Sequence, residues 1–265
     1  MPTRACVQDV ISRLVEEQGV GLPADGVDTV KCGDPTSPLR GVVVCFTATF
    51  DVLRRASQLG ANLVITHEPT FYDHRDAVDW LRDDAVYTAK RRLLEETGIV
   101  VWRFHDYLHL SRPDRLVNGM VEALGWREHL ISADPVIVDL EPTPLPDLVG
   151  TLKERLGVTS VRVAGSTDIT CRRVALLPGA PGGRTQIGVL SGEQVDVAVC
   201  GEINEWETSE YVRDAASAGI PRALVVLGHA VSEETGMRHV AQWIESQVPD
   251  HPVTFIEAGD ALSPM

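Results

Sequence analysis

Three apolar runs in this chain end on histidine with a carboxylate close by. Residues 62–66 run into His67-Glu68-Pro69. Residues 99–104 run into His105-Asp106, and His109 follows one helical turn after His105. Residues 223–228 run into His229, with Glu233 one turn later. Imidazole and carboxylate are the usual protein ligands of hydrolytic zinc, manganese and iron sites. A His-x-x-x-Glu or His-x-x-x-His spacing places both side chains on one face of a helix. The adjacent pair His67-Glu68 would point to opposite faces of a strand. At a strand end the chain turns, so both can still reach one site or bridge two ions.

Counted together, His67, His109 and His229 supply three imidazoles, and Glu68 and Glu233 supply two carboxylates. Such a set suits two divalent ions (Zn, Mn or Fe) about 3.5–4 Å apart, the usual hydrolytic clamp, with water activated at one and a substrate oxygen polarised at the other. His105 and Asp106 are expected to orient a ligand imidazole. Glu202, in Cys200-Gly201-Glu202-Ile203-Asn204-Glu205-Trp206-Glu207, is either a general base or substrate contact, or the carboxylate that starts a helix. The segment Phe71-Tyr72-Asp73-His74-Arg75-Asp76 is either a substrate loop or a solvated turn. The Gly/Pro run 178–183 matches no GxxxxGK[ST] phosphate loop and reads as a turn. His129, His239 and His251 read as surface residues.

The elements that must position these groups alternate between strand and helix, which predicts an α/β class. Helices are expected over 5–18, from Asp51 to near Gly60, 84–97, 113–124, 146–156, 206–218 and 234–246. Strands are expected over 41–46, 62–66, 99–104, 159–164, 172–177, 194–200, 222–227 and 253–256. Pro135, Pro142, Pro144 and Pro146 crowd 127–150, and proline density of this kind marks a boundary. Two domains are therefore expected, 1–130 and 131–265, the second with a C-terminal segment that returns to the metal site. The halves echo each other, since each carries a strand–helix–strand unit that ends on a histidine, His67 in one and His229 in the other. Strand termini are where open α/β folds gather their sites.

Composition narrows the partners. The chain has 265 residues, 44% of them hydrophobic, and a formal net charge of −14, with a mean hydropathy of −0.01. These are values of a globular domain, and no apolar run reaches the roughly 18–20 residues that span a bilayer. Met1-Pro2-Thr3-Arg4-Ala5-Cys6 shows no secretory core, so a cytoplasmic protein is expected. The acidic balance argues against a broad nucleic-acid footprint. The five cysteines are scattered with no CxxC pair, which argues against a thiolate zinc site. Cys45 and Cys200 lie in apolar runs and read as core.

Several motifs in order resemble the dinuclear-metal, hexamer-forming family labelled GTP cyclohydrolase 1 type 2-like, or NGG-one-interacting-factor-three-like. Gly33-Asp34-Pro35, strand 41–46 and Thr47-Ala48-Thr49 match its opening. Gly60-Ala61-Asn62-Leu63-Val64-Ile65-Thr66-His67-Glu68-Pro69 is similar to its Gly-Ala-Asp-Leu-Ile-Ile-Thr-His-His-Pro signature. Phe104-His105-Asp106-Tyr107-Leu108-His109 falls on its Ala-His-Thr-Asn-Leu-Asp motif, Gly201-Glu202 on its Gly-Glu or Gly-Asp, and Gly228-His229-Ala230-Val231-Ser232-Glu233 on its Gly-His-Tyr-x-Thr-Glu. Two ligand positions depart from the pattern. Glu68 stands where the family has a second histidine, and His109 where it has an aspartate. The exchanges compensate in number, which suggests a rearranged metal site.

The resemblance implies two interlinked α/β domains related by approximate internal symmetry, with mixed sheets flanked by helices. It also implies a toroidal homo-hexamer with metal sites facing an inner cavity. The function expected is a metal-dependent hydrolase acting through metal-activated water on a small heterocyclic, amide or phosphorylated substrate. His67, Glu68, His109, His229 and Glu233 would hold the ions, and Glu202 or Asp106 would move protons. The alternative is a non-catalytic metal-binding scaffold or interaction protein.

Overall fold

Continuous apolar runs such as Val42–Cys45 and Leu63–Thr66 have no polar face, so both of their faces must be covered. In the computed structural model, which describes residues 5–192 and 195–262, helices supply that cover. Residues 1–4 and Gln194, the first residue of one expected strand, lie outside the described set. Two compact units divide the chain, one of residues 1–116 and 237–258, the other of 117–236 and 259–265.

The first unit contains α1 (Val7–Glu16), β1 (Val30–Cys32), β2 (Val42–Cys45), α2 (Phe50–Gln58), β3 (Leu63–Thr66), α3 (Ala85–Thr97), β4 (Val100–Arg103) and α4 (Asp106–Leu110). Helix α5 (Arg115–Leu124) starts in it. The end of α9 (His229–Gln247) and β11 (Val253–Phe255) return to it. Its sheet runs β1-β4-β3-β2-β11. All neighbours are parallel except β1 against β4. Strands β2, β3 and β4 are buried along their whole length. Helix α2 begins where the Thr49 side chain accepts from the Val52 amide, and it packs Val52, Leu53 and Ala56 on the sheet. Helix α3 is capped by Asp84 and stops at Gly98, whose φ of 62° suits a residue without Cβ.

The second unit holds β5 (Leu130–Ala133), β6 (Val136–Pro144), α6 (Leu145–Leu156), β7 (Arg162–Gly165), β8 (Thr170–Leu177), α7 (Gly183–Gly192), β9 (Val197–Cys200), α8 (Glu210–Ser217), β10 (Ala223–Val226) and the start of α9. Its sheet runs β5-β6-β8-β9-β10-β7. Strands β8, β9 and β10 are parallel, and the others are antiparallel to their neighbours. One core cluster lies around Val138, Val174, Val199 and Val225, and another around Ile137, Ala198, Leu224 and Val212. The expected echo exists as topology. β2-α2-β3 and β9-α8-β10 each join parallel neighbours and lead to a histidine.

The proline-rich stretch 127–150, read as marking a boundary, holds the hairpin of β5 and β6. Pro135 sits in its turn, Pro142 falls within a register shift against β8, and Pro144 ends β6. These are positions where a missing N–H is tolerated in a sheet. The compact units also cut the chain differently from the expected 130/131 boundary. Strand β11 adds beside β2 and carries Ile256 into the core of Val43, Val64 and Val101, so the C-terminal segment packs with the N-terminal half. Among the described residues no helix is long and apolar enough to cross a membrane.

Candidate metal centre

The end of β3 delivers His67 into the interior, with its side chain fully buried. Its Nδ1 lies 3.2 Å from the Phe104 carbonyl oxygen. A carbonyl only accepts, so Nδ1 carries the hydrogen and the lone pair of the neutral ring sits on Nε2. The end of β4 delivers His105. Here the chain turns because Asp28 accepts three successive amides, His105 and Asp106 at 2.9 Å and Tyr107 at 3.0 Å. That cap starts α4, which places His109 one turn beyond His105.

The other two rings are held by the same device. His105 Nδ1 lies 2.8 Å from Asp106 Oδ1, while Asp106 Oδ2 accepts from the Val27 amide at 2.9 Å. His109 Nδ1 lies 2.8 Å from Asp114 Oδ2. With carboxylates as acceptors, both rings again present Nε2, the arrangement of carboxylate-oriented metal ligands. The His67 and His105 rings stack with centroids 4.5 Å apart, and His109 lies 5.1 Å from the first and 4.8 Å from the second. One ring nitrogen from each falls within 4.8 Å of the other two. Nitrogens sharing one ion at its usual bond length stand roughly 3.4 Å apart, so small rotations would close the three on a cation. Asp28, His105 and Asp106 form a second such group.

Electrostatics fit this reading. Burial, then the neighbouring His67 and His109, push the His105 imidazolium down to about 3. Against the cost of burial, the Val27 amide and the His105 ring hold the Asp106 carboxyl below its ordinary value. Burial raises Asp28, opposed by its three backbone amides. Glu68 Oε1 lies 3.8 Å from His67 Nε2.

In the second unit Gly228, at φ 101°, ends the run after β10, and α9 opens on His229. Glu233 follows one turn later with Oε2 3.1 Å from His229 Nε2, and Glu202 Oε2 lies 3.0 Å from Nδ1. The Gly/Pro turn packs directly on this pair. The Gly179 amide donates to Ser232 Oγ at 3.0 Å, and the Glu202 amide donates to the Gly179 carbonyl at 2.8 Å. A Cβ on Gly179 would collide with the Glu233 carboxylate, and one on Gly201 with Ser232 Oγ and the Gly179 backbone. The glycines are thus needed for close approach.

The structure therefore gathers His67, His105 and His109 with Asp106 in one unit, and Glu202, His229 and Glu233 in the other. Sequence reasoning gave His105 an orienting role, whereas its ring stands beside His67 and His109. It passed over Asp28 and Asp114, the groups that shape α4 and hold His109. Asp114 had a weak signal, its Asx turn to the Leu116 amide before a helix. Asp28 had none, being 77 residues from the turn it caps.

Two mixed sheets flanked by helices define a mixed α/β protein, and its His, Asp and Glu groups at strand ends could hold a metal ion. The chain belongs to the Duf34/NIF3 (NGG1p interacting factor 3) family, whose model matches residues 24–260. A curated relative, the GTP cyclohydrolase 1 type 2 homolog of Clostridium perfringens, is 24% identical over 97% of this chain and 98% of its own length. A hypothetical protein of Staphylococcus aureus, SA1388, shares the fold with a TM-score of 0.79 at 17% identity, covering 98% of this chain and 99% of that one. A Bacillus cereus protein related to NIF3 gives 0.78 at 15% identity, covering 98% of each.

Proposed function

We propose that this chain is a cytoplasmic, metal-dependent hydrolase of a small heterocyclic, amide or phosphorylated molecule, working as a homo-hexamer with two divalent ions per chain. The observation that carries the reading is the set His67, His105 and His109, each with Nδ1 on an oxygen acceptor and one ring nitrogen apiece within 4.8 Å of the other two. His67, Glu68, His109, His229 and Glu233 are assigned as ligands, and His105 joins them on the position of its ring. Such ions supply Lewis acidity and make water acidic enough to react near neutral pH. The chain's own residues do the rest. Asp106 and Asp114 fix two rings, and the Phe104 carbonyl fixes the third.

Of the two carboxylates proposed to move protons, Glu202 is the better placed. Its side chain is 62% exposed and bonded to His229 Nδ1. Both oxygens of Asp106 are engaged, which suits an orienting role. The second reading, a metal-binding scaffold without catalysis, draws on the family's description as an interacting factor.

Elemental analysis of the purified protein tests the metal claim, with stoichiometric transition metal expected in the wild type and its loss in His67→Ala and His229→Ala. A panel of phosphoester, amide and cyclic amidine substrates tests the chemistry. Glu202→Gln is expected to keep its metal and lose roughly 10²–10⁴-fold in turnover. A metal-replete protein inert across the panel would favour the scaffold, and light scattering reads the oligomer directly.

A further inference from the structure

The segment between His67 and α3 is long for a connection, and its first turn is braced far more heavily than a solvated loop requires. Three cations hold it from beneath. Lys31 Nζ lies 3.3 Å from Asp76 Oδ2, with both side chains buried. Lys90 Nζ donates to the Thr70 carbonyl at 2.7 Å. Arg103, fully buried in β4, donates from Nε to the His67 carbonyl at 3.0 Å and from Nη1 to the His74 carbonyl. Within the turn the Phe71 amide donates to Asp76 Oδ1 at 2.7 Å, and Asp73 Oδ1 accepts the Arg75 and Ala77 amides. Tyr72 and Asp76 hold φ of 64° and 55°, a region that aspartate visits readily but that is uncommon for a bulky residue such as tyrosine.

The scaffold fixes His74. Its residue is exposed, yet its ring lies edge-on to His105 with centroids 6.0 Å apart. Charge beneath the turn is unbalanced. Asp76 answers Lys31, but the guanidinium of Arg103 has no carboxylate within ion-pair distance among the described residues, and its buried Nη2 makes no hydrogen bond. Asp106, the carboxylate that feels the Arg103 charge, is engaged by the His105 ring and the Val27 amide. A buried, unpaired cation is costly unless an anion compensates it.

We propose that residues 71–76 form a preformed recognition loop, and that the His74 imidazole is a substrate-binding group that donates a hydrogen bond to an oxyanion, carboxylate or phosphoryl, with the buried Arg103 guanidinium held against the His74 backbone beneath it. This rests on the metal-site reading above and names the substrate class it would serve.

The test uses the full-length protein with and without cobalt(II), titrated calorimetrically with inorganic phosphate in one arm and acetate in the other. His74→Ala is expected to bind cobalt as the wild type does and to lose roughly tenfold in affinity for one or both anions. His74→Asn, which keeps a donor, is expected to recover part of that loss, and Arg54→Ala, on the exposed side of α2, is expected to leave the wild-type affinity unchanged. The preferred arm separates a phosphoryl from a carboxylate substrate. If the wild type binds no cobalt, the metal reading falls, while a His74-dependent anion affinity in the metal-free protein still supports the loop's role. Equal anion affinity for wild type and His74→Ala, or no anion binding in either state, overturns the inference.

Discussion

At the scale of single residues, the chemistry rests on which nitrogen of each histidine is spoken for. Asp106 and Asp114 hold the Nδ1 atoms of His105 and His109 at 2.8 Å, and neither ring can turn without losing a charge-assisted bond. Removing either carboxylate by Asp106→Ala or Asp114→Ala is therefore expected to weaken zinc or cobalt binding by roughly 10–100-fold while the fold persists. Isothermal titration beside a circular dichroism spectrum checks this. Unchanged affinity would mean the rings are set by packing alone. The residue types and spacings around His67, His109, His229 and Glu233 made these groups legible as candidates from the sequence. The placing of His105 was not legible, because it depends on Asp28 drawing three amides into a turn from far along the chain. Local periodicity carries no trace of such a contact.

Among the elements, strands were read well where both faces are buried. The runs 41–46, 62–66, 99–104 and 222–227 are mostly apolar and fall on β2, β3, β4 and β10. The hairpin of β5 and β6 was obscured, because its prolines occupy a turn, a register shift and a strand end. Helix α3 hides a different surprise. Its alternating charges suggest a solvated face, yet Lys90 is 3% exposed, with Nζ beneath the rings of Phe71 and Tyr72 at 5.9 and 5.3 Å. Burial lowers its ammonium from the ordinary 10.5 to about 8. Below pH 8 folded and unfolded chains both hold the proton, and the burial penalty is fully present. From about pH 8 to 10.5 the folded protein releases it first, so stability rises with pH, by roughly 3 kcal/mol across the window. Denaturant unfolding of the wild type minus that of Lys90→Met, measured at pH 7 and again at pH 10.5, should show this gain. A flat difference would place the ammonium in contact with water. Strand β11 yields a second expectation. Ile256 is fully buried against the core of the first sheet, so Ile256→Ala should cost about 2–5 kcal/mol, and a chain ending at Gly236 should lose the first unit's cooperative unfolding.

For the molecule as a whole, the first unit is discontinuous in sequence and holds the imidazole trio entirely within it. The trio joins the ends of β3 and β4 to α4, elements that unfolding would separate. A cation gripped there binds the folded unit and not the open chain, so it must stabilise that unit by mass action. At a free metal concentration a thousandfold above the dissociation constant the gain is about 4 kcal/mol. Calorimetric scans of chelator-treated protein, before and after addition of zinc or cobalt, should therefore show a rise in the transition temperature that a chelator reverses and that His67→Ala abolishes. Magnesium makes a discriminating control. Neutral imidazole nitrogens are poor partners for this hard, oxygen-seeking ion, so it should produce little of the shift. Equal stabilisation by magnesium would point to the surrounding carboxylates as the binding groups. No stabilisation by any of the three ions would leave the trio as packing at the ends of two strands.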